Sequence, residues 1–188
     1  MIIYIHGFKS YGKGSKPQLL RSVFGENDVY APNLKHEPTI DIIELQSYII
    51  QTIRNGEKIL LVGSSLGGFY TSYLAAKYEL DAVLINPSRT PHKSLTEFGT
   101  LELFDGGLIE WDTDCNEELE MLHYELENSL EEQRDRLYFY LSTDDEVIEH
   151  DGIKQVYPNV KEYDNSKHKF VRFDEIIPDI KEIYKNIK

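Results

Sequence analysis

Five residues, Gly63-Ser-Ser-Leu-Gly67, stand between the apolar run Lys58-Ile-Leu-Leu-Val62 and the stretch Gly68-Phe-Tyr-Thr-Ser-Tyr-Leu-Ala-Ala76. The branched run predicts a buried strand and the following stretch a helix, so the chain must turn sharply between them. A G-x-S-x-G pattern at such a junction predicts a tight turn with Ser65 at its apex, its hydroxyl above the sheet and Gly63 and Gly67 leaving room around it. The same turn brings the backbone N–H of Leu66, at the helix N-terminus, toward an oxygen that becomes negative when Ser65 attacks a carbonyl. A phosphate-binding turn would need the lysine of G-x-x-x-x-G-K-[ST] or the three-glycine dinucleotide spacing, and neither is present. Ser64 precedes the nucleophile position and is read as a small packing or turn residue.

This junction belongs to a longer rhythm. Ile2 to Ile5, Ile59 to Val62 and Ala82 to Ile85 are short branched runs ending in Gly or Asn-Pro signals, as parallel strands do. Val29 to Ala31, Leu137 to Leu141 and Val160 to Tyr163 bring the expected strands to six, the last near the sheet edge. Lys16 to Phe24, Ile40 to Ile53, Leu66 to Tyr78 and Phe173 to Ile187 carry apolar residues at helical spacing, with Thr39 and Asp41 suited to start the second helix. The alternation predicts an α/β fold, a doubly wound, mostly parallel sheet of about six strands flanked by helices. Chemistry in such sheets gathers beyond the strand carboxyl ends, where His6, Ser65, Asn86 and Asp145 all fall. Residues 87–136 break the rhythm: they contain Gly106-Gly107 and an acidic helical pattern from Glu117 to Arg136, and predict a short helical lid insertion. Without a repeat or linker, residues 1–188 are expected to form one domain.

Composition narrows the function classes. A net charge of -13 repels phosphate backbones and anionic membrane surfaces, so neither nucleic acid nor membrane is an expected partner. The same charge favours small neutral esters over anionic acyl carriers. Cys115 is the single cysteine, which excludes an internal disulfide and a C-x-x-C site and predicts an inert thiol. A strand pattern at Ile2 leaves no secretory leader and no apolar run nears ~18 residues, so a cytoplasmic location is expected.

A serine hydroxyl needs a base to take its proton and a carboxylate to orient that base. Of the six histidines, His168 alone lies in a polar loop after the last expected strand and before the C-terminal helix, and it is the candidate base. Asp145, in Ser142-Thr-Asp-Asp-Glu-Val-Ile148 after the strand 137–141, is the candidate acid. It stands two residues before Val147 in an Asp-x-Val pattern; Asp144 is the alternative, and Glu146 is expected to face solvent. The order Ser, Asp, His is that of the α/β-hydrolases. His6-Gly7-Phe8 closes the first strand, where Phe8 would supply the second backbone N–H of an oxyanion hole and His6 would order the loop. His36, His92, His123 and His150 show no H-x-x-x-H or H-E-x-x-H pairing and are read as surface or packing residues, so no metal is expected.

Taken together, Ile3-Tyr-Ile-His-Gly-Phe-Lys-Ser10 with Ser15-Lys16, Gly63-Ser-Ser-Leu-Gly-Gly-Phe-Tyr70, Leu84-Ile-Asn-Pro87, Asp145-Glu-Val147 and Ser166-Lys-His-Lys-Phe170 resemble the small bacterial YqiA/YcfP-like esterases of the α/β-hydrolase superfamily over almost the whole chain. The resemblance implies Ser65, Asp145 and His168 as a catalytic triad that hydrolyses carboxylic esters or thioesters with short to medium acyl groups, without a cofactor. The chain departs from the family look at Asp144, where glycine is usual before the acid, and at Lys169, where a smaller residue is usual. A small-molecule acyl ester is the expected partner, oligomeric state is left open, and the rival is a binding or regulatory protein that keeps the fold without turnover.

Overall fold

Period-two alternation divides each central strand between two apolar faces. In the computed structural model, which describes residues 1–127 and 129–187, the chain runs β1 (Ile2–Ile5), α1 (Ser15–Phe24), β2 (Val29–Tyr30), α2 (Pro38–Arg54), β3 (Leu60–Ser64), α3 (Leu66–Tyr78) and β4 (Asp81–Ile85). It continues through α4 (Pro91–Ser94), β5 (Gly99–Glu102), β6 (Leu108–Trp111), α5 (Thr113–Glu127), β7 (Leu137–Ser142), α6 (Ile153–Val156), β8 (Asn159–Tyr163) and α7 (Ile177–Asn186). Ile3, Ile5, Leu61, Leu84 and Phe139 point to the face covered by α2, α3 and α5, where Leu45, Ile49, Leu74 and Leu119 pack. Ile2, Tyr4, Leu60, Val62 and Val83 point the other way, onto Leu20 of α1 and Ile177, Ile180 and Ile183 of α7. Burial on both faces explains why these strands read as continuous apolar runs.

The six expected strands form one parallel sheet in the order β2-β1-β3-β4-β7-β8, with Ile3 beside Leu61, Val62 beside Val83 and Leu84 beside Phe139. The chain builds outward from β1 in one direction to β2 and in the other to β3, so the strand order reverses between β1 and β3. Such a reversal opens a crevice beyond the strand carboxyl ends. Loops 5–8 and 64–66 meet there.

Three details differ from the sequence expectation. The expected helical insertion holds, besides α4 and α5, an antiparallel hairpin of β5 and β6, with Gly99 opposite Trp111. Its strands are short and largely exposed, which removes the apolar pattern that would announce them; residue 128, inside the expected lid, lies outside the described residues. The second helix begins at Pro38 in place of Thr39 or Ile40, because a proline lacking an N–H fits the first turn of a helix. For the same reason Pro178 lies in the first turn of α7, and Phe173–Ile176 precedes it as a 3-10 turn. Among the described residues no helix is long and apolar enough to cross a membrane.

Candidate functional site

Ser65 is the single residue between β3 and α3, and its backbone is held at φ 57° and ψ -123°, a region that L-residues avoid. Hydrogen bonds fix it there. Its N–H donates to Ile85 O at 3.0 Å, and its carbonyl accepts the N–H groups of Gly68, Phe69 and Ser88 at 2.9, 3.2 and 3.0 Å. The glycine after it has a packing reason: a Cβ on Gly67 would lie 2.1 Å from Ile5 O and 2.4 Å from His6 O, so only glycine lets α3 start against the end of β1. Gly7 faces the serine from the other side, where a Cβ would stand 3.1 Å from Ser65 Cβ and 3.6 Å from Oγ.

The structure brings the three expected side chains together. His168 Nε2 lies 3.0 Å from Ser65 Oγ, and His168 Nδ1 lies 3.0 Å from both carboxylate oxygens of Asp145. An ionised carboxylate only accepts, so Nδ1 carries the ring hydrogen and Nε2 is left to accept from the serine hydroxyl. The Asp145 side chain is 1 % exposed. Burial opposes its ionisation, but hydrogen bonds from His150, His168 and the Ile148 and Val147 N–H groups outweigh it and hold the carboxyl well below the usual range.

The two neighbouring acids hold the histidine loop instead of the ring. Asp144 Oδ1 accepts the N–H groups of Ser166 and Lys167 at 3.0 and 3.1 Å, and Glu146 Oε2 accepts that of His168 at 3.0 Å. Asp144 is therefore not the residue at the imidazole. Glu146 is exposed as expected, yet it also ties down the loop. Asn86, fully buried at the end of β4, donates to Ser142 Oγ and to the Lys167 and His168 carbonyls at 2.9, 3.0 and 3.1 Å, and its Oδ1 accepts the Ser142 N–H at 2.7 Å. These bonds compensate a strained loop in which Asn165, Lys167 and Phe170 all have positive φ.

His150 requires a correction. Read from the sequence as a surface or packing residue, it lies with Nε2 3.0 Å from Asp145 Oδ2, so one carboxylate bridges two imidazoles. The spacing Asp145 to His150 was the available signal, but it crosses an irregular loop whose path the sequence does not fix. His6 is buried, with Nδ1 2.9 Å from Gly7 O and Nε2 accepting the Leu34 N–H at 3.0 Å. That pair of contacts defines a neutral ring, in keeping with burial that lowers its pKa. His36 is also buried rather than superficial, packs edge-on against Phe8, and is pushed by burial to about 4. His92 and His123 lie with ring centroids 4.9 Å apart.

The backbone N–H groups of Phe8 and Leu66 have no acceptor among the described residues. They flank Ser65 from the β1 loop and the α3 N-terminus. A cleft of about 800 Å³ opens beside Ser65 and His168, walled by Tyr4, Phe8, Tyr11, Phe104, Phe170 and Phe173. Phe104 comes from the turn between β5 and β6, and its backbone N–H donates to Lys9 O at 2.8 Å. Burial pushes the half-buried Cys115 thiol up to about 11, which leaves it protonated and unreactive. Among the described residues no group of three His, Cys, Asp or Glu side chains is arranged to hold a metal ion.

A family model described as "Uncharacterised protein family (UPF0227)" matches residues 1–185. The chain belongs to UPF0227. Membership agrees with the YqiA/YcfP-like resemblance in the sequence. A UPF0227 protein of Pectobacterium carotovorum is 26 % identical to this UPF0227 chain over 176 residues, 90 % of this chain and 91 % of the relative. One from Yersinia pseudotuberculosis shows the same identity over 176 residues. Among solved structures, Est1E from Butyrivibrio proteoclasticus superposes with a TM-score of 0.66 at 14 % identity, covering 96 % of this chain and 85 % of Est1E. The monoacylglycerol lipase of Paleococcus ferrophilus gives 0.64 at 15 % identity over 98 % of this chain and 93 % of the lipase. At these identities the likeness is one of fold: this UPF0227 chain has the α/β-hydrolase architecture.

Proposed function

We propose that this UPF0227 chain is a serine hydrolase that cleaves carboxylic esters or thioesters with short to medium acyl groups. The observation that carries this is the unbroken line of hydrogen bonds from Ser65 Oγ through His168 to Asp145, begun at a serine in a strained strand-to-helix turn. In this mechanism His168 Nε2 takes the Ser65 proton as Oγ attacks the acyl carbon, and the Asp145 carboxylate stabilises the imidazolium. The free N–H groups of Phe8 and Leu66 donate to the oxyanion, a contribution typically worth about 10²–10³ in rate for one such donor. His168 then protonates the leaving alcohol or thiol, and water, deprotonated by the same ring, releases the acid from Ser65.

Each chemical role is met by a protein group, so the mechanism calls for no cofactor. Residues 87–136 act as the lid in this reading, supported by Phe104 of the hairpin forming part of the cleft wall. The net charge of -13 supports a small-molecule substrate over nucleic acid, and a chain with one cysteine suits a reducing cytoplasm. The test is covalent: a fluorophosphonate added to the wild type should phosphonylate the peptide that contains Ser65 and leave Ser65→Ala unlabelled. A folded wild type that takes no label would overturn the reading in favour of a binding protein.

A further inference from the structure

Lys16, in the first turn of α1, lines the same cleft as Ser65 and His168. It is half-buried, and its ammonium donates to the Lys169 carbonyl while lying 5.9 Å from the Phe173 ring centroid. No carboxylate among the described residues pairs with it, although Lys9, Lys35, Lys154, Lys161 and Lys167 each find one. The other described lysines without an ion-pair partner are exposed, whereas Lys16 is half-buried in the cleft, where an ammonium without a counter-ion is costly. A second cation, Lys169, stands in the cleft wall beside His168, its Nζ 6.0 Å from the Phe104 ring centroid. Among the described residues the one carboxylate that lines the cleft, Asp174, is exposed and forms no ion pair with either lysine. Burial, with repulsion from Lys169 adding to it, lowers Lys16 to about 8, so it is still largely protonated at neutral pH.

We propose that this cleft takes an ester substrate bearing an anionic oxygen group, carboxylate or phosphate, which the Lys16 ammonium neutralises with Lys169 reinforcing the field. The inference rests on the hydrolase function proposed above and names its substrate class. It reverses the preference for neutral esters drawn from net charge, because charges spread over the surface are screened within about 8–10 Å whereas Lys16 and Lys169 act at contact. A lysine, a compact point charge on a flexible stem, suits either anion.

Two matched pairs test it. Mono-p-nitrophenyl adipate against p-nitrophenyl hexanoate places a carboxylate on the acyl side, and 1-butyrylglycerol 3-phosphate against 1-butyrylglycerol places a phosphate on the alcohol side. At low ionic strength the wild type is expected to favour the anionic member of at least one pair by roughly tenfold or more in kcat/KM. The preferred pair identifies the anion. Lys16→Gln should cut that ratio about tenfold, chiefly through KM, and Lys169→Gln should cut it less; Lys35→Gln, exposed and outside the cleft wall, is the charge control. If Lys16 only props the histidine loop, Lys16→Gln lowers activity on both members equally and the inference fails while the hydrolase function stands. A wild type that prefers the neutral member of both pairs likewise overturns the inference and leaves the hydrolase function standing. A folded wild type that hydrolyses none of the four esters overturns the hydrolase function and this inference with it.

Discussion

Asp145 accepts bonds from two imidazoles and two backbone N–H groups at a side chain that is 1 % exposed. Its carboxyl is held below its unfolded-state range, so the sign of its effect on stability follows: the stabilisation is present above about pH 4 and is lost as the pH falls below that. Asp145→Asn should therefore lower stability at pH 7 by about 1–3 kcal/mol, and the difference should shrink progressively as the pH is taken from about 4 toward 2, in urea titrations across that range. The same variant should lose roughly 10³–10⁴ in kcat, because an amide donor facing Nδ1 favours the wrong tautomer of His168. His150 adds one bond to that carboxylate without touching Ser65 among the contacts of the described residues, which makes it a positioning residue.

Ser65, His168 and Asp145 were legible as candidates because a G-x-S-x-G turn, a polar loop before the C-terminal helix and an acid-rich strand end mark them, in the chain order Ser, Asp, His. The rest of the site was hidden for a common reason. His150, Asn86 and Lys16 act through loops of irregular backbone, and a loop's path is set by hydrogen bonds such as those of Asp144 and Glu146 to the 166–168 backbone, which no periodicity encodes.

At the level of elements, strain is concentrated where β-strands hand over to loops at the site. Lys9, Ser65, Asn86, Asn165, Lys167 and Phe170 have positive φ, six of the eight such non-glycine residues described. Strain of this kind persists only when surrounding contacts over-determine it: the Asn86 bonds do so for the 165–170 loop, and at Ser65 the hydrogen bonds of its backbone act together with the close seat of α3 on β1. Gly67→Ala would place a Cβ 2.1 Å from Ile5 O, a backbone atom that cannot swing aside. The variant should lose about 3 kcal/mol or more of stability by denaturant unfolding, or fail to fold, whereas Gly56→Ala, with open space at its Cβ but a φ of 75°, should cost only about 1 kcal/mol. The parallel strands and their helices were readable because both sheet faces are buried and α1, α2 and α7 each cover one with an apolar stripe, while α3 is apolar and buried nearly all round. The β5–β6 hairpin was not: Gly99-Thr-Leu-Glu102 buries none of its residues, so selection on its sequence leaves no alternating pattern. Trp111, fully buried with its ring 4.7 Å from that of Phe8, joins the Phe104 N–H bond to Lys9 O in fastening the hairpin to the loop that carries one free N–H.

For the whole molecule, topology explains why these loops meet. The reversal of strand order between β1 and β3 puts the Gly7–Phe8 backbone and Ser65 on either side of one crevice, and β4, β7 and the loop after β8 deliver Asn86, Asp145 and His168 to its rim. An acidic chain thus carries a cleft whose wall, among the described residues, holds two lysines and one exposed carboxylate. The claim on which all of this depends is that Ser65 is the nucleophile. It is tested most directly by hydrolysis of p-nitrophenyl butyrate by wild type and Ser65→Ala at matched concentration, with circular dichroism confirming that both are folded. Turnover by the wild type that falls at least ~10³-fold in Ser65→Ala is the expected result; equal turnover by the two proteins would contradict it.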